Sequence, residues 1–147
     1  MTIVGTFILW MGWFGFNGGS ALAANGDAAM AIVVTHISAS MGAFTWMVIE
    51  WKKFGKASVL GAVTGMVAGL GTITPASGFV GPGGALIIGV SAGIVCFYAT
   101  VYIKQKLKID DSLDVFPVHG VGGILGTLLA GVFSATTIGV FSCLLYP

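Results

Sequence analysis

The sequence has little charge. Only 7% of its 147 residues are Asp, Glu, Lys or Arg, arginine is absent, and six lysines against five acids leave a net charge of +1. Average globular chains carry about 25% charged residues. With 56% hydrophobic residues and a mean hydropathy of +1.02, the chain lacks the polar groups that cover a water-exposed surface. This composition disfavours a soluble domain, and we expect no nucleic-acid partner.

Features that would indicate other classes are also missing. Cys96 and Cys143 lack the CxxC or Cys/His spacing of redox and metal sites, and we interpret them as small buried hydrophobic residues. We therefore expect no metal site and no cofactor. Met1 is not followed by a charged segment and a cleavage site, so we expect no removable signal peptide.

Long apolar runs are what the sequence does contain. The charged residues leave four runs free of charge, at 1–26, 28–49, 57–103 and 115–147. A helix needs about 20 apolar residues to cross a bilayer, so the third run has room for two spans. A segment rich in Pro and Gly, at 74–84, is the predicted fold-back point between them. The chain, 1–147, is thus predicted to be one all-α bundle with five transmembrane helices, near 3–23, 29–49, 58–76, 83–103 and 115–138.

The lysines predict the orientation, because cytoplasmic loops are enriched in Lys and Arg. All six lie in the loops after the second and fourth spans, and none lies in the loops after the first and third. We therefore expect a multi-pass protein of the plasma (inner) membrane. Its N-terminus would begin on the cytoplasmic side, and its fifth span would end outside.

Glycines recur at intervals of four in three of the predicted spans. Small residues at this interval let helix backbones approach closely in lipid. The pattern predicts a tightly packed bundle, and packing alone explains it. The glycines concerned are Gly61, Gly65 and Gly69, then Gly89 and Gly93, then Gly122 and Gly126.

His119 is the best candidate for chemistry, since ionisable groups at membrane depth are costly and tend to line pathways. On an α-helix, Gly122, Gly123 and Gly126 would share its face, which predicts a bare strip beside the imidazole. Another helix or a small solute could approach that strip. An interhelical hydrogen bond and a role in conduction are equally good interpretations of these residues alone.

A second candidate lies near the outer end of the first span. Phe16 and Ser20 are four residues apart, so an aromatic ring lies beside a hydroxyl on one face. This pairing suits a small ammonium-like cation. The alternative, which these two residues alone favour, is an interfacial aromatic beside a serine bonded to its own helix backbone.

The remaining polar groups have more ordinary interpretations. His36 is more readily explained by packing or a subunit contact than by conduction. At the start of the fifth span, we expect Ser112 or Asp114 to cap the helix, with Pro117 in its first turn.

Four runs of the sequence resemble the ammonium transporter family (Amt/Mep, related to the Rh proteins), in the family's own order. They are GWFGFNGGSALAAN at 12–25, GKASVLG at 55–61, AGLGTITPASG at 68–78 and DDSLDVFPVHG at 110–120. The resemblance implies that the chain corresponds to helices six to ten of an eleven-helix homotrimeric transporter with one pore per subunit.

The resemblance also implies roles for individual residues. Ser20 would supply a hydroxyl to the outer ammonium-recruitment site, and Phe16 would be one of two stacked phenylalanines that gate the pore. His119 would be the second of twin pore histidines. Asp114 and Val115 would lie nearest the inner mouth. The implied partners are ammonium or ammonia, the lipid bilayer and a PII-type signal protein at the cytoplasmic face.

Equivalents of the family's first five helices are not found in the sequence, so a complete pore is not expected from this chain alone. It could be a non-conducting fragment, a packing half of a split transporter, or a truncated reading frame. Two other functions are disfavoured. An intramembrane serine hydrolase using Ser91 and His119 would need a strand-turn-helix elbow, which a continuous helix does not supply. A haem protein using His36 and His119 would show a Soret band.

Overall fold

The computed structural model describes residues 1–134. Within that range the regular elements are all helices and there is no strand, which confirms the all-α prediction. The elements in chain order are α1 (Thr2–Gly19), α2 (Gly26–Phe54), α3 (Val59–Ile73), α4 (Pro82–Gln105), a π-helical turn (Phe116–Val121) and α5 (Gly122–Phe133). The last residues of the predicted fifth span, 135–138, and Cys143 lie outside the described residues.

Local sequence explains where α2 begins and ends. The Asn25 side chain accepts hydrogen bonds from the backbone N–H groups of Asp27 and Ala28, both at 3.1 Å, and so caps the first turn. Gly55 ends the helix in a left-handed conformation with φ of 75°, which glycine adopts without steric cost. Between these signals α2 is longer than the predicted 29–49, because the charged segment that follows residue 49 stays helical.

The other helices also have recognisable ends. The Ser58 hydroxyl oxygen accepts from the Gly61 N–H at 2.8 Å and starts α3. Pro82 occupies the first position of α4, where its missing N–H removes no helical hydrogen bond. The first helix ends at Gly19, four residues before the predicted end of its span.

Among residues 1–134, three helical segments are long and apolar enough to cross a bilayer. They are Gly26–Phe54, Pro82–Gln105 and Phe116–Phe133, where the π-helical turn runs on into α5. The apolar helix α3 is shorter, with 15 residues. Helix α2 is central and packs against α1, α3 and α4. Side chains with no exposed surface, among them Val34, Leu70 and Ile88, form the core between these helices.

The predicted close packing at the glycines is confirmed. A Cβ on Gly69 would collide with the carbonyl of Ser38, and one on Gly89 would lie 2.6 Å from the same oxygen. A Cβ on Gly93 would lie 3.0 Å from the carbonyl of Gly42. Helices α3 and α4 therefore rest directly on the backbone of α2, which fixes the elements that carry the site.

Candidate functional site

His119 lies within the π-helical turn and is exposed at the surface of the chain. Its imidazole is nearly parallel to the Trp13 indole of α1, with ring centroids 6.4 Å apart and planes 13° apart. Across from α1, a Cβ on Gly71 of α3 would lie 3.7 Å from His119 Nδ1. The ring is thus placed beside a tryptophan and next to a position without a side chain.

The turn begins at a capping site formed by Asp111, not by the predicted Ser112 or Asp114. The Asp111 carboxylate accepts hydrogen bonds from the N–H groups of Phe116 at 2.8 Å and Val115 at 3.0 Å, and these bonds lower the pKa of its carboxyl. Ser112 instead donates to Asp110 at 3.3 Å, and Asp114 pairs with Lys104. The predicted caps Ser112 and Asp114 are therefore wrong, because both side chains are engaged elsewhere.

The bare strip predicted beside His119 is only partly present. Gly122 and Gly126 are buried against Thr72 of α3, whereas a Cβ on Gly123 would meet no atom within 4 Å. The prediction assumed α-helical spacing, and the wider π-helical turn changes which residues follow His119 on its face. A helix occupies most of the strip, and Gly123 alone of the three leaves open space.

Trp13 was missed as a site residue. Its indole Nε1 donates to the Thr74 hydroxyl oxygen at 2.8 Å, and that hydroxyl donates to the carbonyl of Leu70 at 2.8 Å. Phe16 meets the indole edge-on, with ring centroids 6.1 Å apart and planes 69° apart. Trp13 therefore connects Phe16 with His119. The signal in the sequence was its position three residues before Phe16, on the same helical face.

Phe16 and Ser20 lie together at the end of α1. The Ser20 hydroxyl donates to the Phe16 carbonyl at 2.7 Å, so its oxygen keeps the capacity to accept a hydrogen bond from a ligand. Phe16 is 63% exposed. An acceptor oxygen and an aromatic ring are thus both available at one exposed surface.

A cavity of about 440 Å³ lies on the other side of His119, towards the end of the bundle that carries the lysines. Asp114 lines it and pairs through Oδ1 with Lys104 Nζ at 2.7 Å. Glu50 also lines it, and its carboxylate accepts from the N–H of Ser58 at 2.7 Å. Val115 is exposed and is not among the lining residues. The cavity is polar at this end and continuous with the imidazole.

The second histidine has different surroundings. His36 stacks on Trp10 at 5.2 Å between centroids and lies 6.0 Å from Phe14. These contacts are what the packing interpretation expects. Within residues 1–134 no group of three or more His, Cys, Asp or Glu side chains could hold a metal ion.

Comparison with known proteins gives consistent matches. Residues 1–143 match the Ammonium Transporter Family. Ammonium transporter Amt1 of Archaeoglobus fulgidus is 50% identical over 146 residues, which are 99% of this chain and 37% of that protein. The ammonium transporter of Aquifex aeolicus is 47% identical over 146 residues, 99% of this chain and 34% of that protein.

Solved structures of similar proteins share the fold. The crystal structure of Saccharomyces cerevisiae Mep2 matches with a TM-score of 0.88 and 45% identity, covering 92% of this chain and 32% of that one. The crystal structure of Candida albicans Mep2 matches with a TM-score of 0.89 and 40% identity, covering 95% of this chain and 31% of that one. The chain spans about a third of the length of the curated relatives it matches.

Proposed function

Because the chain belongs to the Ammonium Transporter Family, a family of membrane transporters and not of enzymes, we propose that it forms part of the conduction path of an ammonium transporter. The serine hydrolase alternative is wrong on the same ground, and Ser91 lies well inside the continuous helix α4. The observation that carries the proposal is that the His119 imidazole lies beside Trp13 and Gly71 and also lines the cavity that holds Asp114 and Glu50.

The outer part of the path begins at Ser20. Its hydroxyl oxygen accepts a hydrogen bond from an ammonium ion, and aromatic faces attract the cation. The Phe16 ring then forms part of a gate that keeps water out of the lumen. The exposure of both side chains on the same end of α1 supports this assignment.

Beyond the gate the transported species is ammonia. An intact cation in an apolar lumen would lose hydration worth, in the idealised limit, on the order of 20 kcal/mol. Neutral ammonia avoids that loss, and the imidazole of His119 exchanges hydrogen bonds with it. On the inner side, the cavity that Asp114 lines returns the solute to water, and Val115 flanks this inner mouth.

The rest of the pore comes from outside this chain. We propose that the chain supplies helices six to ten of an eleven-helix subunit within a homotrimer, and that a preceding half supplies the first pore histidine and the second gate phenylalanine. The large exposed fraction of Phe16 supports a missing neighbour at the gate. The lysine-bearing end would face the cytoplasm and meet a PII-type signal protein. The alternative is a piece that packs in a split transporter and does not conduct by itself.

Removal of the imidazole tests the function. His119→Ala is introduced into this chain, expressed alone and also behind the preceding helices of the Archaeoglobus fulgidus relative, in cells that lack their own ammonium transporters. We expect methylammonium uptake by the assembled transporter to fall by about tenfold or more, or its selectivity to change, because a positioned hydrogen-bonding group is lost. Uptake by the chain alone distinguishes a conducting from a non-conducting piece.

His36→Ala is the matched control, since it removes the other histidine at membrane depth. Its uptake is expected to stay within about twofold of the unmodified transporter, as for a substitution outside the path. Wild-type uptake with wild-type selectivity in His119→Ala would reject the assignment.

A further inference from the structure

Thr72 of α3 has an unusual hydroxyl. The residue is fully buried, and among residues 1–134 its Oγ1 makes no hydrogen bond to an oxygen or nitrogen atom; the polar atom beside it is the thiol sulfur of Cys96, a weak hydrogen-bonding group. A buried hydroxyl without a good hydrogen-bond partner keeps the cost of its lost hydration. Five other threonines avoid this cost by donating to the carbonyl four residues earlier: Thr6, Thr35, Thr64, Thr74 and Thr127. Packing of the side chain, rather than a hydrogen bond to the carbonyl four residues earlier, therefore determines where the Thr72 hydroxyl lies.

The packing partner is the residue that follows the π-helical turn. A Cβ on Gly122 would lie 2.9 Å from Thr72 Oγ1 and 3.3 Å from Cys96 Sγ, so both atoms rest against the Gly122 backbone. The Gly122 N–H donates to the carbonyl of His119. Thr72 thus contacts the backbone unit that closes the turn on the histidine.

The preceding residue of α3 contacts the other part of the same turn. A Cβ on Gly71 would lie 3.7 Å from both His119 Nδ1 and the carbonyl of Val118. Two consecutive residues of α3 therefore flank the segment from Val118 to Gly122. Gly71 has no side chain, and Thr72 has a branched one.

We propose that Thr72 is a positioning residue for His119. Its side chain packs against Gly122, keeps the turn π-helical and so fixes the direction of the imidazole. A π-helical turn contains an extra residue relative to an α-helix. Each residue of an α-helix advances the chain by about 100°, so relaxation of the turn would rotate His119 away from Trp13. The role in transport rests on the function proposed above, whereas the positioning itself does not.

The proposal assigns a steric role to Thr72, which determines the expected variants. Thr72→Val keeps the branched shape and is expected to leave His119 in place. Thr72→Ala removes the support, and Gly122→Ala pushes a methyl group into the position of the hydroxyl. Because the smaller side chain in Thr72→Ala leaves room for the methyl group added by Gly122→Ala, the double variant is expected to restore the fit.

The chain contains only two histidines, so histidine ring labelling and NMR report directly on the position of His119. The full chain is studied in lipid nanodiscs, and His119→Ala assigns the two signals. We expect the His119 ring signal to shift in Thr72→Ala and in Gly122→Ala, to return in the double variant and to stay unchanged in Thr72→Val. The His36 signal, in contact with Trp10 and Phe14, is expected to stay in place throughout.

An unmoved His119 signal in Thr72→Ala, or a signal that moves together with that of His36, would overturn the positioning role. So would a double variant no closer to wild type than either single variant. In the assembled transporter, Thr72→Ala is further expected to change the ratio of methylammonium to ammonium transport, which a loss of folded protein would not change. If His119→Ala transports normally while the NMR shifts occur, the proposed function fails and the positioning role stands.

Discussion

At the scale of single residues, the contacts around Trp13 explain how the site is held. The indole stacks with His119, meets Phe16 edge-on and donates to Thr74, which in turn donates to α3's own backbone. An aromatic ring fixed by a hydrogen bond has little rotational freedom, so it defines the distance between α1 and the imidazole.

Thr74→Val is predicted to loosen this arrangement. The substitution keeps the shape of the side chain but leaves the indole N–H of Trp13 without its acceptor, at a cost of about 1–2 kcal/mol. Thermal unfolding in detergent would show a lower Tm, and the tryptophan emission would change. The control is Thr64→Val, which removes a hydroxyl that donates to the carbonyl of Leu60 in its own helix. Equal Tm values for the two variants would contradict the prediction.

Part of the site was predictable from residue types. His119 was a candidate site residue because an ionisable group at membrane depth is rare. Phe16 and Ser20 were candidates because an aromatic ring and a hydroxyl share one helical face. Trp13 did not stand out, since its importance depends on a contact with Thr74, 61 residues away. Asp111 was not predicted as the helix cap, because three acidic residues lie within five positions. The backbone conformation of this segment determines which carboxylate reaches the start of the helix.

At the scale of elements, the start of the π-helical turn depends on the ionised Asp111 side chain. Its carboxylate accepts two backbone hydrogen bonds, which lower the pKa of the group in the folded chain. The unfolded value is about 3.9, so the stabilisation is complete above that pH and is lost as the pH falls through the lower, folded pKa.

Asp111→Ala is therefore predicted to lower the Tm at neutral pH and to remove this acid-dependent loss of stability. Thermal unfolding between neutral pH and pH 3 measures both effects. Asp110→Ala is the comparison, because within the described part of the chain the Asp110 carboxylate accepts only from the Ser112 hydroxyl. A wild-type pH profile in Asp111→Ala would show that the cap contributes nothing.

The close approach of α3 to α2 leads to a second prediction at this scale. In Gly69→Ala the new methyl group would collide with the carbonyl of Ser38 and lie 2.9 Å from the Cα of Ala39. Overpacking of this kind costs about 1–3 kcal/mol or more. Gly123→Ala is the matched control, since its methyl group would meet no atom within 4 Å. The free energy of unfolding in detergent should be lower for Gly69→Ala than for Gly123→Ala. Equal stability of the two variants would contradict backbone contact at Gly69.

Helices were predictable at this scale, but the conformation around His119 was not. Apolar runs and their charged boundaries indicated where helices lie, whereas the exact ends depended on caps such as Asn25 and Gly55. The π-helical turn has no simple signature. It arises where Pro117 lacks an N–H, Asp111 caps the start and α3 supports Gly122, and these conditions come from three parts of the chain.

At the scale of the whole molecule, the lysine distribution predicts one topology. Ala24→Cys and Lys106→Cys, each in a chain with Cys143→Ser, place thiols at exposed positions after α1 and after α4, which this topology puts on opposite sides of the membrane, and Cys96 is buried. We expect a membrane-impermeant maleimide to label the thiol at position 24 in intact cells, and the thiol at position 106 only after permeabilisation. The reversed pattern would contradict the predicted orientation of the N-terminus.

Ser38 joins three helices in a way that bears on how the molecule could move. Its carbonyl faces Gly69 of α3 and Gly89 of α4, and its hydroxyl donates to the Gly69 carbonyl at 2.9 Å. The helix backbones are in direct contact there, because Gly69 and Gly89 have no side chains to hold them apart. A transport cycle in which these helices moved relative to one another would have to break these contacts. Passage of a solute through a pore of fixed shape would leave them intact.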